Sequence, residues 1–552
     1  MGIAGGRVAH GSFGEIGYLA PILLFVLLFA LLPVAILFER GWIDGGGAGT
    51  FYDTVWREAT NRIALFNSLE QGALSAAIAF ALGYPAGVFL ARYTFPGRAT
   101  ARSFLLLPFL LPTVVVVIGI LDLFGPGGWI SSAVPVLSWF GEGVPGIVLA
   151  NLVFNVPLVV LYTALGCESA SGDLEESART LGATPARVYR DVWAGPSLVG
   201  ASVGVVLTFV FSALAFASPI MICGPRCYTL EAQVYALSST FLQPTAASLL
   251  ALAAVLILLV PIVGYVVLAN RLKHRDSRGP IRPRPLSRSG WIGRSLAAEA
   301  TLVFAGIAAV LITVLGRSIS PVDGGGFGAG WSDLVSARTT ATLGVPIARV
   351  IVNTFGFALF AAAATFVLVL LAALALRSRP RWEGGISAYL FLPLLVSPVL
   401  LAFSLAEFWR PILGGETTVW ILIGISQAIL ALPFALQSLR VPLAGLSPAP
   451  SEAARTLGAS RWTAFWDADV PRIGSGIVTA GLFAFAIGLG EFTATYFLYV
   501  PSFTTLSVAV YTLQRERFTD ATAGAAALLL VVSLVVFAAV VWAGRTRGRH
   551  RA

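Results

Sequence analysis

The chain has 552 residues, of which 57% are hydrophobic and only 11% charged. Soluble globular chains carry roughly 25% charged residues, so this composition excludes a water-soluble protein of this length. A formal net charge of +9 could suggest nucleic acid, but the basic residues, all arginine apart from Lys273, collect in short loops between apolar runs, which argues against a nucleic-acid partner.

The apolar residues come in runs of about 20, the length that carries a helix across a hydrocarbon core of roughly 30 Å. Backbone groups in lipid must be paired internally, so such runs read as helices. The ten-residue alternation of an outer-membrane barrel is absent. The first run, Tyr18 to Phe38, is longer than the apolar region of a signal peptide and lacks a clear small-residue cleavage site, so it reads as a retained helix. Five more runs follow near 67–91, 103–123, 145–166, 197–220 and 245–270. A second set of six lies near 295–316, 351–376, 386–408, 419–439, 475–499 and 521–544. The expected fold class is all-α, a polytopic protein with about twelve transmembrane helices surrounded by membrane lipid.

Orientation follows from arginine in the short loops. The loop after the second span holds Arg92, Arg98 and Arg102. The loop after the sixth runs from Arg271 and Lys273 through Arg275, Arg278, Arg282, Arg284 and Arg288 to Arg294. Arg377, Arg379 and Arg381 follow the eighth, and the tail carries Arg545, Arg547, Arg549 and Arg551. With twelve spans all four groups fall on one side, whereas 124–144, on the other, has no basic residue. Both termini are therefore expected to be cytoplasmic, in a multi-pass protein of the cell (inner or plasma) membrane.

A long-period repeat joins the two sets of spans. Glu176-Ser-Ala-Arg-Thr-Leu-Gly182-Ala-Thr is answered, 276 positions later, by Glu452-Ala-Ala-Arg-Thr-Leu-Gly458-Ala-Ser. The same offset relates Pro157 to Pro433, Asp191 to Asp467, and Thr229-Leu230 to Thr505-Leu506. Asn67 and Asn353 each open the second span of a half and differ by 286, which a loop about ten residues longer explains. An even number of spans per half gives both halves the same orientation, a parallel repeat. The expected organisation is a first half, 1–275, with a loop at 167–196; a basic Pro/Ser-rich linker, 276–294; and a second half, 295–552, with a loop at 441–474.

The repeated segments lie between the fourth and fifth spans of each half. Leu174–Leu181 and Ser451–Leu457 read as short helices with acidic residues in the first turn, where the helix dipole favours them. Ser451, preceded by Pro448 and Pro450, can cap the second. Glu175 and Arg179 are four apart and can pair. Ser177, Ala178, Ala453 and Ala454 are small enough for another protein to approach closely, and Gly182 and Gly458 supply the turn that ends each helix. The plainer alternative is a pair of amphipathic surface helices.

Glu-Ala-Ala, three residues, Gly, then Pro thirteen residues later resembles the cytoplasmic loop of ABC-importer permeases. That resemblance implies the type I importer fold, with a coupling helix in each half that docks onto an ATPase subunit. Glu452, Ala453, Ala454, Gly458 and Pro471 fit the pattern fully. The first copy keeps Glu176, Ala178 and Gly182, has Ser177 in place of Ala, and puts Gly195 where Pro is expected, with Pro196 one residue late, so its re-entry into the membrane is expected to differ. The resemblance also implies two copies of a separate ATPase and an extracytoplasmic solute-binding protein as partners. This chain has no Walker A loop of its own: Lys273 is its only lysine, and Leu272 precedes it. Nor has it paired carboxylates, a His cluster or a nucleophile constellation. It is expected to be a transport subunit and not an enzyme, without a cofactor, ATP and Mg being bound by the partner.

Cargo is the finer question. Gly119-Ile-Leu-Asp122, Gly127-Gly-Trp129 and Leu149-Ala-Asn-Leu-Val-Phe-Asn155-Val-Pro157 look most like thiamine permeases. Leu489-Gly-Glu491-Phe492, Phe503-Thr-Thr-Leu506 and Tyr511 are similar to both thiamine- and ferric-iron-type permeases. Ionisable residues within spans are costly and mark candidate pathway positions. Glu491 lies in the eleventh span, with Asp122 and Glu407 near the ends of the third and ninth. Trp129, Trp409 and Tyr496 are close to them in sequence, and carboxylates with aromatic faces suit an aromatic cation such as thiamine. Carboxylates alone suit Fe(III). The competing readings are interfacial solvation for Asp122 and Glu407 and an interhelical hydrogen bond for Glu491. An ion-coupled secondary transporter would share twelve spans and duplicated halves, and the loop motifs speak against it. Cys223 and Cys227 are close enough for a local disulfide, and His10, His274 and His550 make no metal site.

Overall fold

A computed structural model describes residues 12–273, 283–288, 290–320, 326–378, 389–390 and 392–545. Residues 276–282 and 289 of the linker, the start of the expected ninth span and the last residues of the basic tail lie outside these. Among the described residues the protein is built from helices, with a single two-stranded parallel pairing of Tyr93–Thr94 with Arg284–Pro285.

Among the described residues ten helices are long and apolar enough to cross a membrane, and a bent pair, Trp462–Gly474 and Gly476–Gly490 at 65°, makes up to eleven. The expected number is about twelve. The shortfall is in the expected ninth span, 386–408. Residues 386–388 and 391 lie outside the described residues, Leu392–Leu395 is a 3-10 turn, and Pro398–Leu413 is a 16-residue helix. At 1.5 Å per residue that helix reaches about 24 Å, short of the hydrocarbon core. The expected third span, 103–123, is divided in the same way. Helix Arg98–Phe104 is followed by a 3-10 turn at Leu107–Leu110 and then by helix Thr113–Phe124. Pro108 and Pro112, like Pro393 and Pro398, cannot donate a backbone hydrogen bond, and the helix breaks at them.

The chain forms two compact units. One comprises Arg40–Ile347 with Leu506–Val531, the other Met1–Glu39, Ala348–Thr505 and Val532–Ala552. In the first unit, helices Ala59–Arg92, Gly143–Glu168 and Ala194–Ala213 pack on one another. Glycines set their separation: a Cβ on Gly83 would lie 2.7 Å from Val159 Cβ, and one on Gly200 would lie 3.0 Å from Gly166 Cα. Membrane helices associate through such small-residue contacts, since lipid supplies no hydrophobic drive between them. Trp291–Ile319 packs on Ala59–Arg92 and Thr113–Phe124.

In the second unit, the N-terminal helix is stitched to the later spans by Tyr389 Oη donating to Leu23 O at 2.7 Å and Trp409 Nε1 donating to Leu28 O at 3.3 Å. Its Ile22 and Val26 share a buried core with Leu401, Leu405, Leu422 and Ile429. The first helix of each sequence half thus belongs to the unit built mainly from the other half.

Candidate functional site

Both repeated segments are helical. Helix Gly172–Thr180 is capped by Ser171, whose Oγ accepts from Leu174 N, and carries Asp173 and Glu175 in its first turn. Helix Ala449–Thr456 starts behind Pro448 and carries Glu452 in its first turn. Their ends are superposable in their bonding. Gly182 N donates to Arg179 O and Ala183 N to Ala178 O; Gly458 N donates to Arg455 O and Ala459 N to Ala454 O. Gly182 at φ +79° and Gly458 at φ +94° occupy the left-handed region that this termination needs. A Cβ at either would meet nothing within 4 Å, so inside this chain the glycine is required by its dihedral and not by space.

The two helices present the same face outward. Glu176, Ser177 and Gly182 are exposed and Ala178 is half-buried; Glu452, Ala453, Gly458 and Ala454 repeat that pattern in order. Leu181 and Leu457, one residue before each glycine, are 87% and 89% exposed. Sequence reasoning passed over both leucines, although their identical spacing from the glycines was visible.

Re-entry into the membrane is also repeated. A π-helical turn, Tyr189–Trp193 or Phe465–Asp469, leads into helices Ala194–Ala213 and Val470–Gly490. Gly195 and Pro471 are both exposed in the first turn, where a proline costs no hydrogen bond. Pro196, one residue later, is accommodated in the same first turn.

Each of these helices ends in a break and resumes as a short one, Ala217–Ile222 or Thr493–Leu498. Freed backbone groups in lipid need partners. In the first half, Gln71 Nε2 donates to Ser212 O, Asn151 Nδ2 donates to Gln71 Oε1 at 2.6 Å, and Thr229 Oγ1 donates to Ala215 O at 2.9 Å. In the second half the carboxylate of Glu491 does this work. It accepts from Ala494 N at 2.7 Å, Thr495 N at 2.8 Å and Thr495 Oγ1 at 2.6 Å, and Gln427 Nε2 donates to Thr495 Oγ1 at 3.1 Å. Both Glu491 oxygens are thereby engaged in capping the resumed helix.

The repeat extends to single hydrogen bonds. Asn67 Nδ2 donates to Tyr228 O at 3.1 Å, and Asn353 Nδ2 donates to Thr504 O, 276 residues on from Tyr228, at 3.1 Å.

The other two membrane carboxylates lie apart. Asp122 sits beside Arg317, whose Nη2 donates to Gly127 O at 2.6 Å and Asp122 O at 3.4 Å. The Arg317 guanidinium lies 5.5 Å from the Trp129 ring centroid, so the aromatic face beside Asp122 already carries a cation of this chain. Arg317 is a buried cation in an apolar helix and could have been singled out on that ground. Glu407 is exposed on helix Pro398–Leu413, one turn before Arg410, which donates to Leu498 O at 2.6 Å. Cys223 and Cys227 are disulfide-bonded, with Cα atoms 5.7 Å apart.

Comparison with known proteins now fits this geometry. Residues 83–275 match a family described as binding-protein-dependent transport system inner membrane component. The chain is 30% identical over 197 residues to the sulfate transport system permease protein CysW of Synechocystis, covering 34% of this chain and 68% of that one. The chain belongs to this family of importer permeases.

Along its whole length the permease is similar to the thiamine transport system permease protein ThiP of Salmonella typhimurium, 24% identical over 97% of both chains. It is also 39% identical over 154 residues to the molybdenum transport system permease protein ModB of Escherichia coli, covering 26% of this permease and 66% of that protein. It is therefore the multi-pass membrane subunit of an ABC importer, a transport subunit and not itself an enzyme. Permeases of this family carry no cofactor, the ATPase being a separate chain, and membership implies ATPase and binding-protein partners. Family membership selects ATP-driven import over an ion-coupled secondary transporter.

Proposed function

We propose that this permease imports thiamine, or a small solute of the same aromatic-cation class, delivered by an extracytoplasmic binding protein. The observation that carries this reading is the full-length match to a thiamine permease, which extends over 97% of both chains and so through both halves. A second reading, an oxyanion cargo, is favoured by the higher identity of a 154-residue stretch to a molybdenum permease. Ferric iron is the third cargo to be tested.

In this proposal helices Gly172–Thr180 and Ala449–Thr456 are coupling helices on the cytoplasmic side, as are both termini. Each docks one of two ATPase copies through Glu176, Ser177, Ala178 and Gly182, or Glu452, Ala453, Ala454 and Gly458, with Leu181 or Leu457 as the apolar anchor. Pro471 fixes the re-entry behind the second. ATP-driven closure of the two ATPase subunits moves both helices, and the halves rock between outward- and inward-facing states. Asp122, Glu407 and Glu491 are left with unequal claims on the pathway. Glu491 is engaged by a helix end and Asp122 faces Arg317, so affinity for cargo rests with the binding protein.

The test is uptake into proteoliposomes holding the permease, its ATPase and its binding protein, with ATP inside and labelled thiamine, molybdate or Fe(III) outside. The reading predicts ATP-dependent accumulation of thiamine. Accumulation of molybdate or iron in its place would refute it.

A further inference from the structure

The two loop helices are alike outward and unlike inward. Glu175 is buried, whereas Ser451 stands at the same position in the second copy, and helix Ala449–Thr456 has no buried residue. Three arginines converge on Glu175 Oε1: Arg92 at 2.7 Å, Arg179 at 2.8 Å and Arg284 at 3.8 Å. They come from three places: the end of helix Ala59–Arg92, the loop helix itself, and the linker between the halves. Arg92 is buried under the Trp193 ring, 3.1 Å from its centroid, and its Nε and Nη1 have no hydrogen-bond partner. Its counter-charge is thus Glu175. The linker is held by its backbone as well, since Tyr93 pairs with Arg284 and Thr94 with Pro285 in parallel register. The backbone pairing fixes where Arg284 stands, and the carboxylate gives it a charge to face.

We infer that Glu175 and Arg284 are positioning residues for coupling, through which the linker between the halves straps the first coupling helix to the end of helix Ala59–Arg92. This rests on reading Gly172–Thr180 as a coupling helix. Its consequence is asymmetry. The first docking helix is tied to a membrane helix by a buried ion pair and to the other half's linker by an outer one. Among the described residues the second, with serine in place of the glutamate, shows neither tie. Fusion of the halves then does more than fix stoichiometry: it places a cation of the linker, Arg284, against the first docking helix.

The test uses the complete importer in proteoliposomes and reads solute moved per ATP hydrolysed in Arg284→Gln, Arg284→Lys, Glu175→Gln and the double variant Glu175→Gln/Arg284→Gln. A half-exposed pair supports a loss of about two- to fivefold for Arg284→Gln. Arg284→Lys should keep the wild-type ratio. The double variant should be no worse than Glu175→Gln alone, because Arg284 acts through that carboxylate. A wild-type ratio in Arg284→Gln, an equal loss in Arg284→Lys, or losses that multiply in the double variant would each overturn the assignment. As a second readout, nitroxide labels at Ser177→Cys and Ala453→Cys report helix mobility in the same complex. Arg284→Gln should loosen the first label and leave the second unchanged; equal loosening at both, or none, overturns the strap. Failure of the coupling-helix reading itself looks different: the ATPase would then stay bound when Leu181 and Leu457 are both replaced by Asp, whatever Arg284 does.

Discussion

Replacing Leu457 by Ala removes the most exposed apolar side chain of the second loop helix. At 89% exposure it makes almost no contact within this chain, so the change should leave the fold of the permease untouched. Burial of a leucine by a partner contributes about 1.5–3 kcal/mol, and truncation to alanine forfeits about 2 kcal/mol of it. That corresponds to roughly 30-fold in ATPase affinity at that site. Leu181, at 87% exposure, should give a loss of similar size. The assay is equilibrium binding of the purified ATPase to permease in lipid nanodiscs, with thermal unfolding of the permease as the control. A change of less than about threefold at both sites, with unfolding unaltered, would refute the claim that these leucines are docking anchors, since the predicted loss is ten times larger.

Three further outcomes follow from the geometry. Gly458→Val should weaken ATPase association sharply, because φ +94° is closed to a β-branched residue and the left-handed region costs about 1–2 kcal/mol even for ordinary side chains; Gly458→Asn should be tolerated better, and equal binding in both variants would argue against the turn. Glu491→Gln should lower the unfolding temperature of the detergent-solubilised permease through about 1–2 kcal/mol of lost capping while transport continues, and complete loss of transport at unchanged stability would return Glu491 to the pathway. Asn67→Ala and Asn353→Ala should both destabilise, by about 1–3 kcal/mol each, because each removes the matching side-chain hydrogen bond to a backbone carbonyl, and a loss confined to one would break the equivalence of the halves.

Much of this architecture was legible in the sequence because membrane helices announce themselves by length and apolarity, and because duplication wrote the same loop twice. Within the expected ninth span, hydropathy does not register the 3-10 turn at Leu392–Leu395, where Pro393 and Pro398 interrupt the helix. The exchange of first helices between units left no trace in periodicity, since Ile22 and Val26 look alike whether they face lipid or Leu401. At the site, the loop helices and their terminal glycines were legible from spacing. Glu175 was seen as a partner of Arg179, but Arg92 and Arg284 lie far away in sequence, and only folding brings them to the same oxygen. Asp122 and Trp129 looked like half of a cation site; Arg317, nearly two hundred residues on, occupies that face. Glu491 looks the same on paper whether it serves cargo or a helix end, and its three donors come into view only in the folded chain.

In the proposed importer one chain offers two equivalent docking helices to two ATPase subunits. Native mass spectrometry of the importer purified through a tag on this permease tests it most directly. The account predicts one permease with two ATPase copies, reduced to one when Leu457 is replaced by Asp. A complex that holds a single ATPase, or none, with both leucines intact would contradict it.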